Sequence, residues 1–174
     1  MNMTTQLVLE LGSGANPTVI PNRRIIHLDM VDGPHVEIVC NLEHGIPFPA
    51  NVFDHILAVN MIEHLEDTVA IMNEMHRVLK PGGEAFIRVP TWGSPAHRID
   101  PTHKKGFTEK SFDFFDDSRP FGKENGVIYT QRRWRILRQD INSSDLSLSF
   151  EIKALKPGEE PRELVDLFGV EPQS

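Results

Sequence analysis

Short aliphatic runs, each followed by a turn or a polar residue, are the main pattern in the first half of the chain. Residues 7–11, 25–28 and 56–59 have this character, which predicts strands buried on both faces of a sheet. Residues 85–89 give a fourth strand, and residues 36–39 give a shorter one between the second and third runs. The first half of the chain therefore predicts a buried sheet.

One segment has clear helical periodicity, between residues 67 and 80. Its apolar side chains recur at i, i+1, i+4, i+7 and i+8 and so share one face: Ile71, Met72, Met75, Val78 and Leu79. Asp67 suits the positive end of this helix, and Arg77 and Lys80 suit its negative end. Pro81 and the two glycines after it are expected to end the helix.

Strands that alternate with crossovers predict an α/β fold with a mostly parallel, Rossmann-like sheet of the seven-stranded type. The first crossover, residues 15–24, contains Pro17 and Pro21, so any helix there is a turn or two at most. Residues 127–139 and 146–153 predict an antiparallel hairpin that closes the sheet.

The length of 174 residues predicts one domain, residues 1–174. Within it, residues 91–126 are loop-rich and hold five of the ten phenylalanines. Long segments of this kind often serve as lids or binding loops, so we interpret this aromatic insertion as a candidate substrate lid. A satellite core under a surface loop is the competing interpretation. After the hairpin, residues 162–168 form a short amphipathic segment.

Composition removes several functional classes. A formal net charge of −7 gives no broad basic field, so a nucleic-acid partner is disfavoured. Cys40 is the only cysteine, which excludes an intrachain disulfide framework or a thiolate zinc cluster and suits a reducing cytoplasm. No apolar run approaches a membrane span, and the polar N-terminus leaves no room for a secretory leader. We expect a soluble cytoplasmic protein and leave its oligomeric state open, a homo-oligomer included.

The first predicted strand runs into a glycine turn, Gly12-Ser13-Gly14, where a ligand can approach the backbone closely. A dinucleotide-binding fingerprint needs a third glycine and a helix, but Pro17 stands there, so a nicotinamide or flavin dinucleotide is disfavoured. Asp29 ends the second predicted strand, where a carboxylate can accept hydrogen bonds from a ribose diol.

These features belong to an ordered set of segments: LELGSGANP at 9–17, IHLD at 26–29, VCNL at 39–42, NMIEHLED at 60–67, MHRVLKPGG at 75–83 and DPTHKKGFT at 100–108. Together they resemble a small class I S-adenosylmethionine-dependent methyltransferase of the methyltransferase type 11-like family. The resemblance covers roughly residues 7–115.

The resemblance implies that S-adenosylmethionine is the cofactor. Gly12 and Gly14 are expected beside its methionine part, Asp29 at its ribose hydroxyls, and Asn41 and Leu42 at the adenine. The family usually carries an acid where Asn41 stands and often a cysteine where Ser13 stands. The resemblance completes the cofactor set with Glu10, Ser13, Asn16, Met30 and Asn60.

The candidate catalytic residues are His64, Asp100 and His103, because an imidazole titrates near neutral pH and can orient an acceptor or take its proton. Methyl transfer from an activated sulfonium mainly needs alignment and exclusion of water. Some related O-methyltransferases bind a divalent ion through a Glu-x-x-Glu-His segment and a distant His. Asn60 replaces the first Glu here, so no metal site is predicted.

Family analogy favours an acceptor oxygen on a sugar, a glycan or a small metabolite. The chain lacks the Pro-Pro-aromatic element of amino-directed DNA methyltransferases. A non-catalytic subunit or binding module with this fold remains an alternative. So does an RNA-directed methyltransferase that uses the arginines of residues 132–138, although a strand with outward arginines and inward Trp134 and Ile136 explains that stretch as well.

Overall fold

The computed structural model of the protein describes residues 6–158, in which seven strands form one sheet in the order β3-β2-β1-β4-β5-β7-β6. The strands are β1 Gln6–Leu11, β2 Arg23–Asp29, β3 Ile38–Val39, β4 Phe53–Val59, β5 Leu79–Pro90, β6 Arg133–Asn142 and β7 Ser147–Leu155. The first five strands are parallel, and β7 runs antiparallel to both β5 and β6. The predicted α/β fold with its antiparallel closing hairpin is confirmed.

Helices are few and short. They are the α-helices α1 Thr68–Val78, α2 Pro95–Ile99 and α3 Val127–Tyr129, the 3₁₀ helices Leu42–His44, Ile62–His64 and Ser111–Phe115, and a π-helical turn, Gly122–Gly126. No helix in residues 6–158 is long and apolar enough to cross a membrane. The first crossover contains no helix, as its two prolines predict. The amphipathic segment 162–168 lies outside the described residues.

Helix α1 follows its predicted periodicity, but it ends before the predicted stop. The Asp67 side chain caps its N-terminus by accepting a hydrogen bond from the Ala70 amide at 2.9 Å. At the other end, Leu79 adopts an extended backbone and pairs with Phe53 of β4. The helix therefore ends at Val78 because the chain joins β5 there.

The predicted strand 127–139 is wrong over its first residues, because α3 precedes β6. The Thr130 amide donates to the Gly126 carbonyl at 3.1 Å, and the Thr130 hydroxyl donates to Oδ1 of Asn73 on α1 at 2.5 Å. These contacts give the segment a helical turn beside α1 in place of an extended edge.

The aromatic insertion, residues 91–126, contributes to the main core. Phe107, Phe112 and Phe115 are buried there, and the Phe112 ring lies 4.6 Å from that of Phe150 on β7. Phe107 and Phe115 also line a cavity of about 620 Å³, so the insertion both fills part of the core and borders a cavity. The role of the insertion as a substrate lid remains a prediction.

The three arginines of β6 form ion pairs with aspartates. Arg135 lies 2.9 Å from Asp116 and 3.4 Å from Asp117. Two further ion pairs join Arg133 to Asp117 at 3.2 Å and Arg138 to Asp140 at 2.6 Å. Trp134 and Ile136 are buried. The interpretation with inward Trp134 and Ile136 is confirmed, and the aspartates offset much of the positive charge that an RNA site would use.

Candidate functional site

The turn after β1 brings backbone to the carboxyl end of the sheet. Gly12 and Gly14 have φ angles of +69° and +57°, a region that glycine enters freely. The Gly12 amide donates to the Leu28 carbonyl of β2 at 2.8 Å, which holds the turn against the neighbouring strand. A Cβ on Gly12 would lie 2.6 Å from Cγ of Met61, so this position has no room for a side chain.

Glu10 of β1 supports the crossover that follows this turn. Its buried carboxylate accepts hydrogen bonds from the Thr18 amide, at 3.1 Å for Oε2, and from the Thr18 hydroxyl, and it lies 2.6 Å from Nδ1 of His27. These contacts fix the crossover that replaces a helix. Glu10 does not line the cavity described below, although the resemblance puts it among the cofactor contacts.

A cavity of about 450 Å³ opens at the carboxyl ends of β1, β2, β3 and β4. It is lined by Gly12, Gly14, Asp29, Met30, Val31, Cys40, Asn41, Leu42, Glu43, Asn60, Met61, His64, Leu65 and Lys104. Seven of the ten predicted cofactor residues and His64 thus share one cavity. The predicted residues that do not line it are Glu10, Ser13, Asn16, Asp100 and His103.

Asp29 is held in place by the backbone on both sides. Its Oδ2 accepts a hydrogen bond from the Gly14 amide at 2.8 Å, and its Oδ1 accepts one from the Val31 amide at 3.0 Å. Each carboxylate oxygen retains a second lone pair, so Asp29 can still accept hydrogen bonds from a pair of ligand hydroxyls.

The far wall of the cavity follows β3. Asn41 begins the 3₁₀ helix Leu42–His44, where its Oδ1 accepts a hydrogen bond from the Glu43 amide at 3.0 Å. Met30 and Val31, which line the same cavity, expose apolar side chains. The wall therefore offers apolar surface to a flat ring, with the polar Asn41 beside it.

A cluster of Glu63, His64 and His103 lies where the cavity meets the aromatic insertion. The rings of His64 and His103 are 4.7 Å apart, and Nε2 of His103 is 3.9 Å from Oε1 of Glu63. Glu63 is fully buried, and neither carboxylate oxygen has a hydrogen-bond partner within the described residues. Burial raises the pKa of Glu63 to about 7.

His64 is joined to Asp100 through Thr102, which the sequence did not single out. The Thr102 hydroxyl lies 2.8 Å from Nδ1 of His64 and 2.6 Å from Oδ1 of Asp100. Burial, together with the nearby His103, lowers the pKa of His64. The neutral form of this imidazole is therefore favoured at neutral pH.

Each member of the Glu63, His64 and His103 cluster offers one potential metal-ligand atom, and these atoms lie within 4.8 Å of one another. Two imidazoles and a carboxylate are a donor set that divalent transition metals accept. The cluster could therefore hold a metal ion. The absence of a metal site, which the sequence favours, remains a prediction.

Sequence reasoning missed Lys104 and Thr102, although both lie inside the segment 100–108 beside the predicted His103. Lys104 lines the cavity and forms ion pairs with Glu43 at 3.2 Å and Glu66 at 2.9 Å. Its amide also donates to the Glu63 carbonyl at 2.9 Å. The available signal was the adjacency of these residues to the predicted histidines.

The known proteins that this chain resembles in sequence are methyltransferases. The family described as methyltransferase domain matches residues 18–87. Among curated proteins, the demethylmenaquinone methyltransferase of Anoxybacillus flavithermus is 36% identical over 101 residues, which cover 58% of this chain and 39% of that protein. The same-named protein of Lysinibacillus sphaericus is 34% identical over 50 residues, covering 29% and 21%. The chain thus spans less than half the length of these relatives.

Solved structures give broader coverage at low identity. Phosphoethanolamine N-methyltransferase 1 of Haemonchus contortus aligns with a TM-score of 0.67 and 10% identity, over 92% of this chain and 41% of that one. A methyltransferase of Archaeoglobus fulgidus aligns with a TM-score of 0.55 and 13% identity, over 86% of each chain. The chain has the class I methyltransferase fold. The cavity lies at the carboxyl ends of the parallel strands, where ligands bind in folds of this kind.

Proposed function

We propose that the chain is an S-adenosylmethionine-dependent methyltransferase. The observation that carries this proposal is a single cavity that joins the glycine turn and Asp29 on one side to His64 on the other. The class I methyltransferase fold and the curated methyltransferase relatives support the same activity.

In this proposal the cofactor lies along the carboxyl ends of the first four strands. Gly12 and Gly14 pass beside its methionine part, because no side chain stands between backbone and ligand there. Asp29 accepts hydrogen bonds from the ribose hydroxyls. Asn41 and Leu42 border the adenine, with Met30 opposite them. Asn60 lies at the end of β4, beside the glycine turn.

Ser13 and Asn16 belong to the glycine turn and crossover without lining the cavity. Their proposed contribution is therefore to the shape of the turn. Glu10 acts in the same way, since its carboxylate accepts a hydrogen bond from the Thr18 amide of the crossover.

The acceptor side of the site is formed by His64, Asp100 and His103. We place the acceptor there because His64 lines the cofactor cavity and its lowered pKa leaves an imidazole able to take a proton. An oxygen acceptor, on a sugar, a glycan or a small metabolite, fits a site that can remove a proton. The curated relative and the solved structure are named for two different acceptors, demethylmenaquinone and phosphoethanolamine. The choice of an oxygen acceptor therefore does not rest on these two proteins.

Calorimetric titration with S-adenosylmethionine and S-adenosylhomocysteine tests the cofactor site. Asp29→Ala should weaken binding by on the order of tenfold to a hundredfold, because it removes hydrogen bonds to a charged group. Asp29→Asn keeps the size of the side chain and guards against a general loss of folding. Asp32→Ala is the matched control, since Asp32 is exposed on the same connection and does not line the cavity.

Saturable binding that is weakened at Asp29 and retained at Asp32 supports the proposal and justifies an acceptor screen. Absence of binding with millimolar ligand contradicts it and favours the alternative of a non-catalytic subunit or binding module. Once an acceptor is found, His103→Ala should retain cofactor binding while lowering turnover.

A further inference from the structure

We propose that Thr102 is a positioning residue that holds His64 in the tautomer with its hydrogen on Nδ1 and so leaves Nε2 free to accept the proton of the methyl acceptor. The proposal rests on the proposed function for its chemistry, but the tautomer itself can be measured without cofactor or acceptor. Its structural basis is the chain of hydrogen bonds from Asp100 through Thr102 to His64.

The direction of these bonds follows from counting hydrogens. A threonine hydroxyl has one hydrogen to donate and lone pairs with which to accept. The Thr102 hydroxyl donates to Oδ1 of Asp100 at 2.6 Å, and the Thr102 amide donates to the same oxygen at 2.8 Å. The hydroxyl oxygen is then an acceptor towards Nδ1 of His64, 2.8 Å away, so Nδ1 carries the hydrogen.

The reverse arrangement, with the hydroxyl donating to the ring, is weaker. Hydrogen bonds from the Thr102 side chain and amide lower the pKa of Asp100, so its carboxyl group is ionised at neutral pH. A carboxylate accepts hydrogen bonds more strongly than a neutral imidazole nitrogen does. The single hydroxyl hydrogen therefore stays on the Asp100 side.

The other groups around His64 are also consistent with a neutral ring. Burial has the largest effect and lowers the pKa of His64; His103 and Lys104 also lower it, whereas Asp100 and a hydrogen bond with the Thr102 backbone raise it. Glu63, buried beside His103, has a raised pKa and is largely protonated below neutral pH.

The proton balance of the step is simple. When the acceptor oxygen bonds to the methyl carbon, the carbon–sulfur bond breaks and S-adenosylhomocysteine leaves. The proton of the acceptor passes to Nε2 of His64, which becomes an imidazolium with hydrogens on both nitrogens. Its positive charge is compensated through Thr102 by the carboxylate of Asp100.

Nitrogen-detected NMR of the histidine side chains tests this assignment directly. Long-range ¹H–¹⁵N correlation spectra of the uniformly labelled full chain distinguish the two neutral tautomers, and His64→Gln identifies the His64 signals by their disappearance. Thr102→Val removes the hydroxyl at nearly constant volume, and Thr102→Ser restores it. Thr108→Val, on the same insertion, is the matched control because its hydroxyl contacts only Ser111 and Lys110.

We expect the wild-type His64 to carry its hydrogen on Nδ1. Thr102→Val should lower the ratio of the Nδ1–H to the Nε2–H form by about tenfold, the size expected for one lost hydrogen bond. Thr102→Ser and Thr108→Val should keep the wild-type ratio. A change that reflected only loosened packing would not be rescued by serine.

A hydrogen on Nε2 in the wild type overturns the proposal, whether or not the valine variant folds. An unchanged ratio in a folded Thr102→Val also overturns it. Failure of the proposed function is distinguishable, because absent S-adenosylmethionine binding in the calorimetric titration would leave the tautomer measurement intact.

Discussion

The environment of Glu63 is unfavourable to its charged form. Its carboxyl group is fully buried, neither oxygen has a hydrogen-bond partner in the described part of the chain, and burial raises its pKa from 4.5 to about 7. The folded protein therefore favours the protonated form. The stabilisation from the neutral carboxyl is complete below pH 4.5 and is lost as the pH rises through 7.

Glu63→Gln should make the protein more stable at pH 8 than the wild type and change little at pH 5. The expected gain at pH 8 is on the order of 2–3 kcal/mol, because glutamine removes the cost of an ionised buried carboxylate. Thermal unfolding at the two pH values measures it. Glu109→Gln, at an exposed position, should show no such pH dependence. An equal shift at both pH values would contradict a titrating Glu63.

Among individual residues, sequence reasoning located those whose role depends on their immediate neighbours along the chain. Asp29 and Gly12 are examples, since a strand end and a glycine turn already define their surroundings. The contact between His64 and Thr102 joins residues 38 positions apart. Tertiary packing alone creates it, so no local pattern could have predicted it.

Among the elements, the turn between β1 and β2 contains two glycines in similar conformations but different surroundings. Both have positive φ angles. A Cβ at Gly12 would collide with Met61, whereas a Cβ at Gly14 would have no atom within 4 Å. A side chain at Gly14 would therefore cause backbone strain alone, whereas a side chain at Gly12 would cause backbone strain and a steric clash.

Gly12→Ala should destabilise the protein more than Gly14→Ala does. The conformational penalty of about 1–2 kcal/mol is common to both, and only Gly12→Ala adds the collision with Met61. Urea unfolding of both variants measures the difference. Equal losses would mean that Met61 moves aside freely and that the turn tolerates a side chain.

The strands and α1 were predictable because their patterns are local. Runs of aliphatic residues gave the parallel strands, and the i, i+4 stripe gave α1. The start of β6 was not predictable, because residues 127–129 are apolar enough for a strand and only the contacts of Thr130 with Gly126 and Asn73 make them helical.

Across the whole molecule, polar contacts as well as buried rings join the aromatic insertion to the sheet. Asp116, fully buried, is the main polar connection. Its Oδ1 accepts hydrogen bonds from Arg135 at 2.9 Å and from the amide and hydroxyl of Ser118, and its Oδ2 accepts one from the Ile136 amide at 2.9 Å. Asp117 pairs with Arg133 and Arg135, but its side chain is 28% exposed.

Asp116→Ala should lower the free energy of unfolding by about 3 kcal/mol, because it leaves the buried Ile136 amide without its acceptor and removes the closest partner of Arg135. Asp117→Ala, the neighbouring control, should cost less than about 1 kcal/mol because water screens its ion pairs. Urea unfolding measures both. In Asp116→Ala, hydrogen exchange should also accelerate in residues 111–126 before it does in β1 and β4. Uniform acceleration across the sheet would instead mean that the insertion and the sheet unfold as one cooperative unit.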